Sequence, residues 1–305
     1  MNTKMTTKLF SKKSLTLFIA GIFCTVTLST SVQAQNNPKP PEFTKFKDAS
    51  QFKIPGNGKP FIPSNLKTSV APGNRGIPDG VDDRTPMTSR DYPWSTIGRV
   101  EGTTVDDNNY HCTGTLIHDN LVLTNAHCVL DEKTGILSKK INFLPNFIDG
   151  EVSDTRDIAM VQRVIYGTDF RGGDDHNDWA ILVLDRPLGR KYGYLGWKSL
   201  STSTLVSNPN KFFFVGYSRD FPKYNPGMTA GFEKGCSIVG EKANLLRHDC
   251  DTAGGSSGGA IIATINGQYY IVAINNAEIK NLYTGQDIIN TAVKIDFLNS
   301  LFSRN

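Results

Sequence analysis

Three short strings hold the residue types from which a covalent acyl-transfer site is made. They are Thr124-Asn-Ala-His-Cys128, Asn177-Asp-Trp-Ala-Ile-Leu182 and Asp251-Thr-Ala-Gly-Gly-Ser-Ser-Gly-Gly259. A histidine, an aspartate and a glycine-flanked serine follow one another in that order. A serine hydroxyl is a weak nucleophile until a neutral imidazole takes its proton, and a carboxylate behind the imidazole fixes the tautomer that can do so.

Each member has to be chosen from competitors. Of five histidines, His111, His118, His127, His176 and His248, only His127 follows a strand-like run and precedes a cysteine able to fix its turn. It is the expected base. Two serines compete in Gly254-Gly-Ser-Ser-Gly-Gly259. In a Gly-x-Ser-Gly-Gly frame Ser257 is the nucleophile, and the N–H groups of Gly255 and Ser257 face the developing oxyanion. A β-rich run follows at once, Ala260-Ile-Ile-Ala263, which a flexible glycine linker would not need. Asp174, Asp175, Asp178 and Asp185 cluster. Asp178 precedes Trp179-Ala-Ile-Leu182 and would sit at the mouth of a buried strand, whereas Asp174 and Asp175 read as solvated turn charges.

Two other chemistries fit less well. Gly-x-Ser-x-Gly is also the elbow of α/β-hydrolases, but that fold needs its histidine after the serine, and none follows His248. No His-Glu-x-x-His occurs and the cysteine spacings are not finger-like, so neither a metal nor a cofactor is expected.

The elements that must position these groups read as strands. Leu121–Thr124, Met160–Ile165, Ala180–Leu184, Lys211–Val215, Ala260–Ala263 and Tyr269–Ile274 are short β-rich runs between turn residues, and Asn266-Gly267 signals a hairpin. Thr291–Phe302 alone has apolar residues at helix-like intervals. Residues 77–305 are expected to form one all-β domain.

The start of the chain reads differently. Lys4, Lys8, Lys12 and Lys13 precede an apolar stretch, Leu15 to Leu28, and a small-x-small pattern at Val32-Gln-Ala34. Residues 1–34 therefore read as a signal peptide, too short and too rich in Thr and Ser for a membrane anchor. A secreted or periplasmic location follows, with no membrane association once the signal is removed. Cys24 lies inside the signal, leaving Cys112, Cys128, Cys236 and Cys250. Three pairings are open; the local one, Cys112–Cys128 with Cys236–Cys250, is favoured.

Residues 35–76 hold seven prolines and a net charge of +5, with little apolar periodicity. They read as a linker or propeptide that cannot form a core of its own. The signal carries +4, so residues 77–305 are near −5. That argues against nucleic acid as a partner and suggests weak docking of the basic segment over an acidic cleft.

The three strings together resemble the signatures of the chymotrypsin/trypsin family over roughly residues 77–305. The resemblance implies two orthogonal six-stranded β-barrels, a cleft between them, a C-terminal helix and a serine endopeptidase activity on proteins and peptides. Cys112 and Cys128 fall where the family has its histidine-loop disulfide, while His111 matches no catalytic position. Val81-Asp-Asp-Arg84 with Tyr92-Pro-Trp94, and the Asp251–Gly258 string, are similar to the bacterial glutamyl-endopeptidase branch.

Two departures bear on specificity and activation. Ser256 stands where trypsin-type zymogens have an aspartate, and Asn275 where glutamate-specific enzymes have a histidine. The resemblance puts Asp251, with Thr252 and Asn275, in the primary substrate pocket, and Glu278 near its entrance. An aspartate there would pair with Lys or Arg. Cleavage after Lys or Arg by a monomeric enzyme is thus expected. The alternatives are cleavage after Glu and a catalytically inactive binding module on the same fold.

Overall fold

β-branched and aromatic residues dominate the apolar runs, and such residues pack well on a pleated surface. The computed structural model describes residues 39–47, 54, 56–69, 82–171, 175–280, 283 and 287–302, and it turns these runs into sixteen strands. A short strand β1 (Glu42–Lys45) and the two-residue β2 (Thr85–Pro86) come first. Six strands follow: β3 (Ile97–Thr103), β4 (Asn109–His118), β5 (Leu121–Thr124), β6 (Lys140–Pro145), β7 (Ala159–Tyr166) and β8 (Ala180–Leu184). They pair in the order β7-β6-β3-β4-β5-β8, and β8 pairs back to β7, which closes the barrel.

A helical turn α1 (Gly189–Tyr192), strand β9 (Gly196–Trp197) and helix α2 (Thr202–Val206) lead into the second sheet. This contains β10 (Phe212–Gly216), β11 (Gly231–Cys236), β12 (Ile238–Lys242), β13 (Leu245–His248), β14 (Ala260–Ile265), β15 (Gln268–Lys280) and β16 (Asp287–Lys294). The order is β12-β13-β16-β15-β14-β10-β11-β2, with β9 beside β15. Only Ser237 separates β11 from β12, so the chain itself links β12, at one end of that path, to β11, next to the other end, and the sheet curls round. The Cys236–Cys250 disulfide staples the same place, and Asp249 N–H donates to Ser237 C=O at 3.1 Å. The mostly-β, chymotrypsin-like architecture expected from the sequence is what forms.

One apolar cluster draws on both sheets. Ile97, Leu123, Trp179 and Ile181 from the first half join Val215, Ile262, Ile271 and Val293 from the second. Burial of this kind is the main force holding the fold, at roughly 25 cal/mol per Å2 of apolar surface. The C-terminal helix α3 spans only Leu298–Leu301, shorter than the 291–302 pattern suggests. Thr291 to Lys294 belong to β16, where Val293 pairs with Leu245 on one side and Ile274 on the other. Ladder pairing of β-branched residues there overrides the helical spacing. Among the described residues, no helix is long and apolar enough to cross a membrane.

Much of 39–69 is ordered against this body. β1 pairs in parallel with β7, and Ile54 is buried and bridges to Phe302. The segment has no core of its own, as its composition predicts, but it borrows one. The docking is mainly apolar and β-type. Its described residues do not line the cavity at Ser257, so the expected electrostatic cover over the cleft is not seen. The signal peptide, Arg75, Ile77 and Asp174 lie outside the described residues.

Candidate active site

Register brings the first two candidates together. Thr124 at the end of β5 lies opposite Ala180 at the start of β8. His127, three residues beyond Thr124, and Asp178, two before Ala180, therefore meet at one end of the barrel. The Asp178 carboxylate takes both N–H groups that His127 offers it. Oδ1 accepts the backbone N–H at 2.9 Å, and Oδ2 lies 2.6 Å from Nδ1. Asn125 Nδ2 donates to the Asp178 carbonyl at 2.6 Å, fixing the turn from behind. Burial alone would lower the His127 pKa, but the Asp178 charge and hydrogen bond outweigh it and raise it. The Asp178 side chain is 2% exposed, so little solvent screens this pair.

The third candidate sits on the loop before β14. Thr113, on β4 beside Cys112, holds that loop to the first barrel. Its N–H donates to Ser257 C=O at 2.8 Å, and its hydroxyl donates to Gly255 C=O at 3.1 Å. With both carbonyls tied down, neither the Gly255 nor the Ser257 N–H has a protein acceptor among the described residues. Those are the donors an oxyanion needs. Two glycines permit the close approach. Gly255 has φ +98°, and a Cβ there would lie 2.5 Å from His111 Nε2; Gly258 has φ +80°, and a Cβ there would lie 2.2 Å from Thr124 Oγ1.

The two serines differ in environment. Ser256 is buried, donates to Ala253 C=O at 2.6 Å and accepts from Asn275 Nδ2 at 3.2 Å. Ser257 is part-exposed, and its hydroxyl donates to Asn276 C=O at 3.2 Å rather than to His127. Resting geometry of this kind is common before substrate arrives. His127, Ser257, Gly255 and Cys112, which is disulfide-bonded to Cys128, border one cavity of 570 Å3.

Asp251, Thr252 and Asn275 do not line that cavity. Asp251 accepts the Asp83 N–H at 3.0 Å, and Asn275 Oδ1 is 3.0 Å from His248 Nε2. Burial brings the His248 pKa down to about 4. Beneath Asp251 lies Glu233 on β11, which the sequence reading missed. It accepts the Asp251 N–H at 2.5 Å, its other oxygen is buried without a partner, and burial pushes its pKa up to about 8, with Asp251, Asp249 and Asp83 adding to the rise. Glu132 was missed too; its carboxylate is 3.8 Å from His127 Nδ1 and 60% exposed. Neither residue carries a local pattern, so only the fold reveals them. Asp175 is exposed, as a turn charge should be.

A closed β-barrel joined to a second curled sheet, with a histidine and a serine at one cavity and an aspartate bonded to the histidine, is the architecture of chymotrypsin-like proteases. The chain belongs to that class: the model of the trypsin-like peptidase domain matches residues 112–274, just over half of its length. A Glu endopeptidase solved in complex with MPD superposes with a TM-score of 0.59 at 26% identity, covering 72% of this chain and 97% of the other. The protease Anisep from Arthrobacter nicotinovorans, at 18% identity and TM-score 0.55, shares the fold. Glutamyl endopeptidase of Bacillus licheniformis is 27% identical over 190 residues, 60% of this chain and 53% of its own. Serine protease 23 of Bos taurus is 28% identical over 206 residues, 60% of this chain and 50% of its own. The chain thus spans about half the length of the curated relatives it matches.

Proposed function

We propose that this chain is a secreted serine endopeptidase with Ser257 as nucleophile, His127 as proton carrier and Asp178 as the group that orients His127. The two-point contact of Asp178 with His127, at the edge of the cavity that Ser257 shares, carries this reading. With Nδ1–H donated to Asp178, the free Nε2 can accept the Ser257 proton as Oγ attacks the peptide carbonyl. The oxygen that becomes negative is met by the Gly255 and Ser257 N–H groups. His127 then gives its proton to the departing amine, and an acyl-Ser257 ester remains. Water, deprotonated by His127, hydrolyses that ester and restores the enzyme. Labelling by a fluorophosphonate tests the reading directly, because an inactive binding module on this fold would not react.

For the primary specificity we propose Lys or Arg before the scissile bond. Asp249 and Asp251 supply the negative charge before the serine loop, with Glu233 beneath Asp251 held largely protonated at neutral pH by burial, and Asn275 is occupied by His248 and Ser256. Negative charge there favours a cationic side chain and opposes a carboxylate. The likeness to proteins named glutamyl endopeptidases supports the other reading, cleavage after Glu. Paired fluorogenic peptides ending in Arg and in Glu decide it. Faster turnover of the Arg substrate is expected; the reverse order rejects the basic preference.

The two disulfides support an oxidising compartment, in keeping with the signal-like start. We further propose that maturation cuts the chain near residue 76, giving a mature amino terminus close to Ile77. Amino-terminal sequencing of the active secreted protein should show that terminus, and a sole start at Gln35 in fully active material would refute the cut.

A further inference from the structure

We infer that the segment carrying residues 39–47, 54 and 56–69 remains bound to the protease body through these residues, as a non-covalent strap, after the chain is cut between Ser69 and Asp82. The inference rests on the maturation proposed above, but it concerns what the cut leaves behind. The strap is anchored at four separate places on the body.

At its start, Glu42–Lys45 adds a parallel strand to β7, with Phe43 opposite Val164 and Lys45 opposite Tyr166. Ion pairs flank the strand: Lys45 to Asp169 at 2.7 Å and Glu42 to Arg163 at 3.1 Å. Phe46 then packs edge-on to Trp179, with ring centroids 5.3 Å apart, next to Asp178 in the chain. The second anchor is Ile54, 5% exposed in the main apolar cluster and bridged to Phe302. Gly58 C=O, just beyond, accepts the Trp197 N–H at 3.1 Å. Phe61 is the third: it exchanges two backbone hydrogen bonds with Tyr194, at 3.0 and 3.1 Å, and the rings stack at 5.3 Å. At the fourth, Lys67 and Ser69 both bond to the backbone of Tyr92 at 2.9 Å, and the Tyr269 hydroxyl reaches Ser69 C=O.

Each anchor alone is weak. Joined by one chain they act together, since holding one keeps the others at high effective concentration. A stretch that completes a sheet edge and fills gaps beside Trp179, Trp197 and Phe302 stabilises the body rather than blocks it. It also lies away from the substrate, as its described residues do not border the cavity of His127 and Ser257. The cut therefore frees an end without unmasking the site, and the strap belongs to the working enzyme.

The test uses the full chain with Ser257→Ala, so that self-cleavage plays no part, and a recognition sequence for a site-specific protease placed between Ser69 and Asp82. After complete cutting, the small fragment should co-elute with the body in gel filtration at about 1 μM, a concentration that retains only complexes with micromolar or tighter Kd. It should separate only in denaturant. Ile54→Asp with Phe61→Asp in the same background should release the fragment while the body stays folded by circular dichroism. Loss of the unaltered strap in native buffer overturns the inference; so does its retention when both anchors are replaced. Because the cut is imposed, an error in the natural maturation site would appear in the sequencing experiment and not here.

Discussion

Ser257→Ala is expected to abolish fluorophosphonate labelling and to lower peptide turnover by roughly four to six orders of magnitude, as removal of a serine nucleophile does elsewhere. Ser256→Ala should leave labelling intact. The neighbouring serines have opposite surroundings. The Ser256 hydroxyl is buried between Ala253 C=O and Asn275 Nδ2, with no route to substrate. The Ser257 hydroxyl reaches the cavity and is held by one contact, to Asn276 C=O. Rotation of its side chain to another staggered rotamer releases that contact and frees the hydroxyl for attack. Ser256→Ala carries a different cost: buried Asn275 loses an acceptor, which destabilises by about 1–3 kcal/mol. It should read as a lower Tm with near-normal turnover of the surviving enzyme. If labelling disappears with Ser256→Ala and survives Ser257→Ala, the nucleophile is misassigned.

What was legible in the sequence is what local pattern can encode. The strings around His127, Asp178 and Ser257 each combine a reactive side chain with the strand or turn that presents it. β5, β8 and β14 then form where their apolar runs predict. Less visible were the groups that hold these strings to one another. Thr113 fixes the Gly255 and Ser257 carbonyls from another barrel, and nothing in its neighbourhood announces it beyond its place next to Cys112. Glu233 reads as an ordinary strand residue until β11 is folded beneath Asp251. Asp251, which the resemblance places in the substrate pocket, also accepts the Asp83 N–H through its carboxylate, a contact 168 positions away in the chain that no local pattern announces. Proline content concealed the strap in the same way. Phe43, Phe46, Ile54 and Phe61 have no periodicity among themselves, because each is matched to a different part of the body.

Asp178→Asn is expected to lower turnover about 10⁴-fold at neutral pH while leaving the fold and the labelling site in place. The cause lies in the two contacts of that carboxylate. As Asp178, both oxygens accept, one from the His127 backbone N–H and one from Nδ1. An asparagine has one acceptor and one amide donor. If its oxygen keeps the backbone N–H, the NH2 group faces Nδ1, which must then be the unprotonated nitrogen. The proton moves to Nε2, and His127 can no longer take one from Ser257. The pH profile separates this from simple loss of a charge. His127 must be neutral to act as base, so activity falls as pH drops through its pKa, which Asp178 raises. Removing that negative charge lowers the pKa and moves the acid limb of the profile to lower pH. A protonation effect would therefore help the variant at neutral pH, and the large loss that remains there reports the wrong tautomer. Glu132→Gln serves as the comparison. Its carboxylate is also near Nδ1, but at 3.8 Å and 60% exposed it is screened by solvent, and turnover should change by less than about threefold. Near-normal turnover in Asp178→Asn would remove Asp178 from the site and pass its role to Glu132 or Asp175.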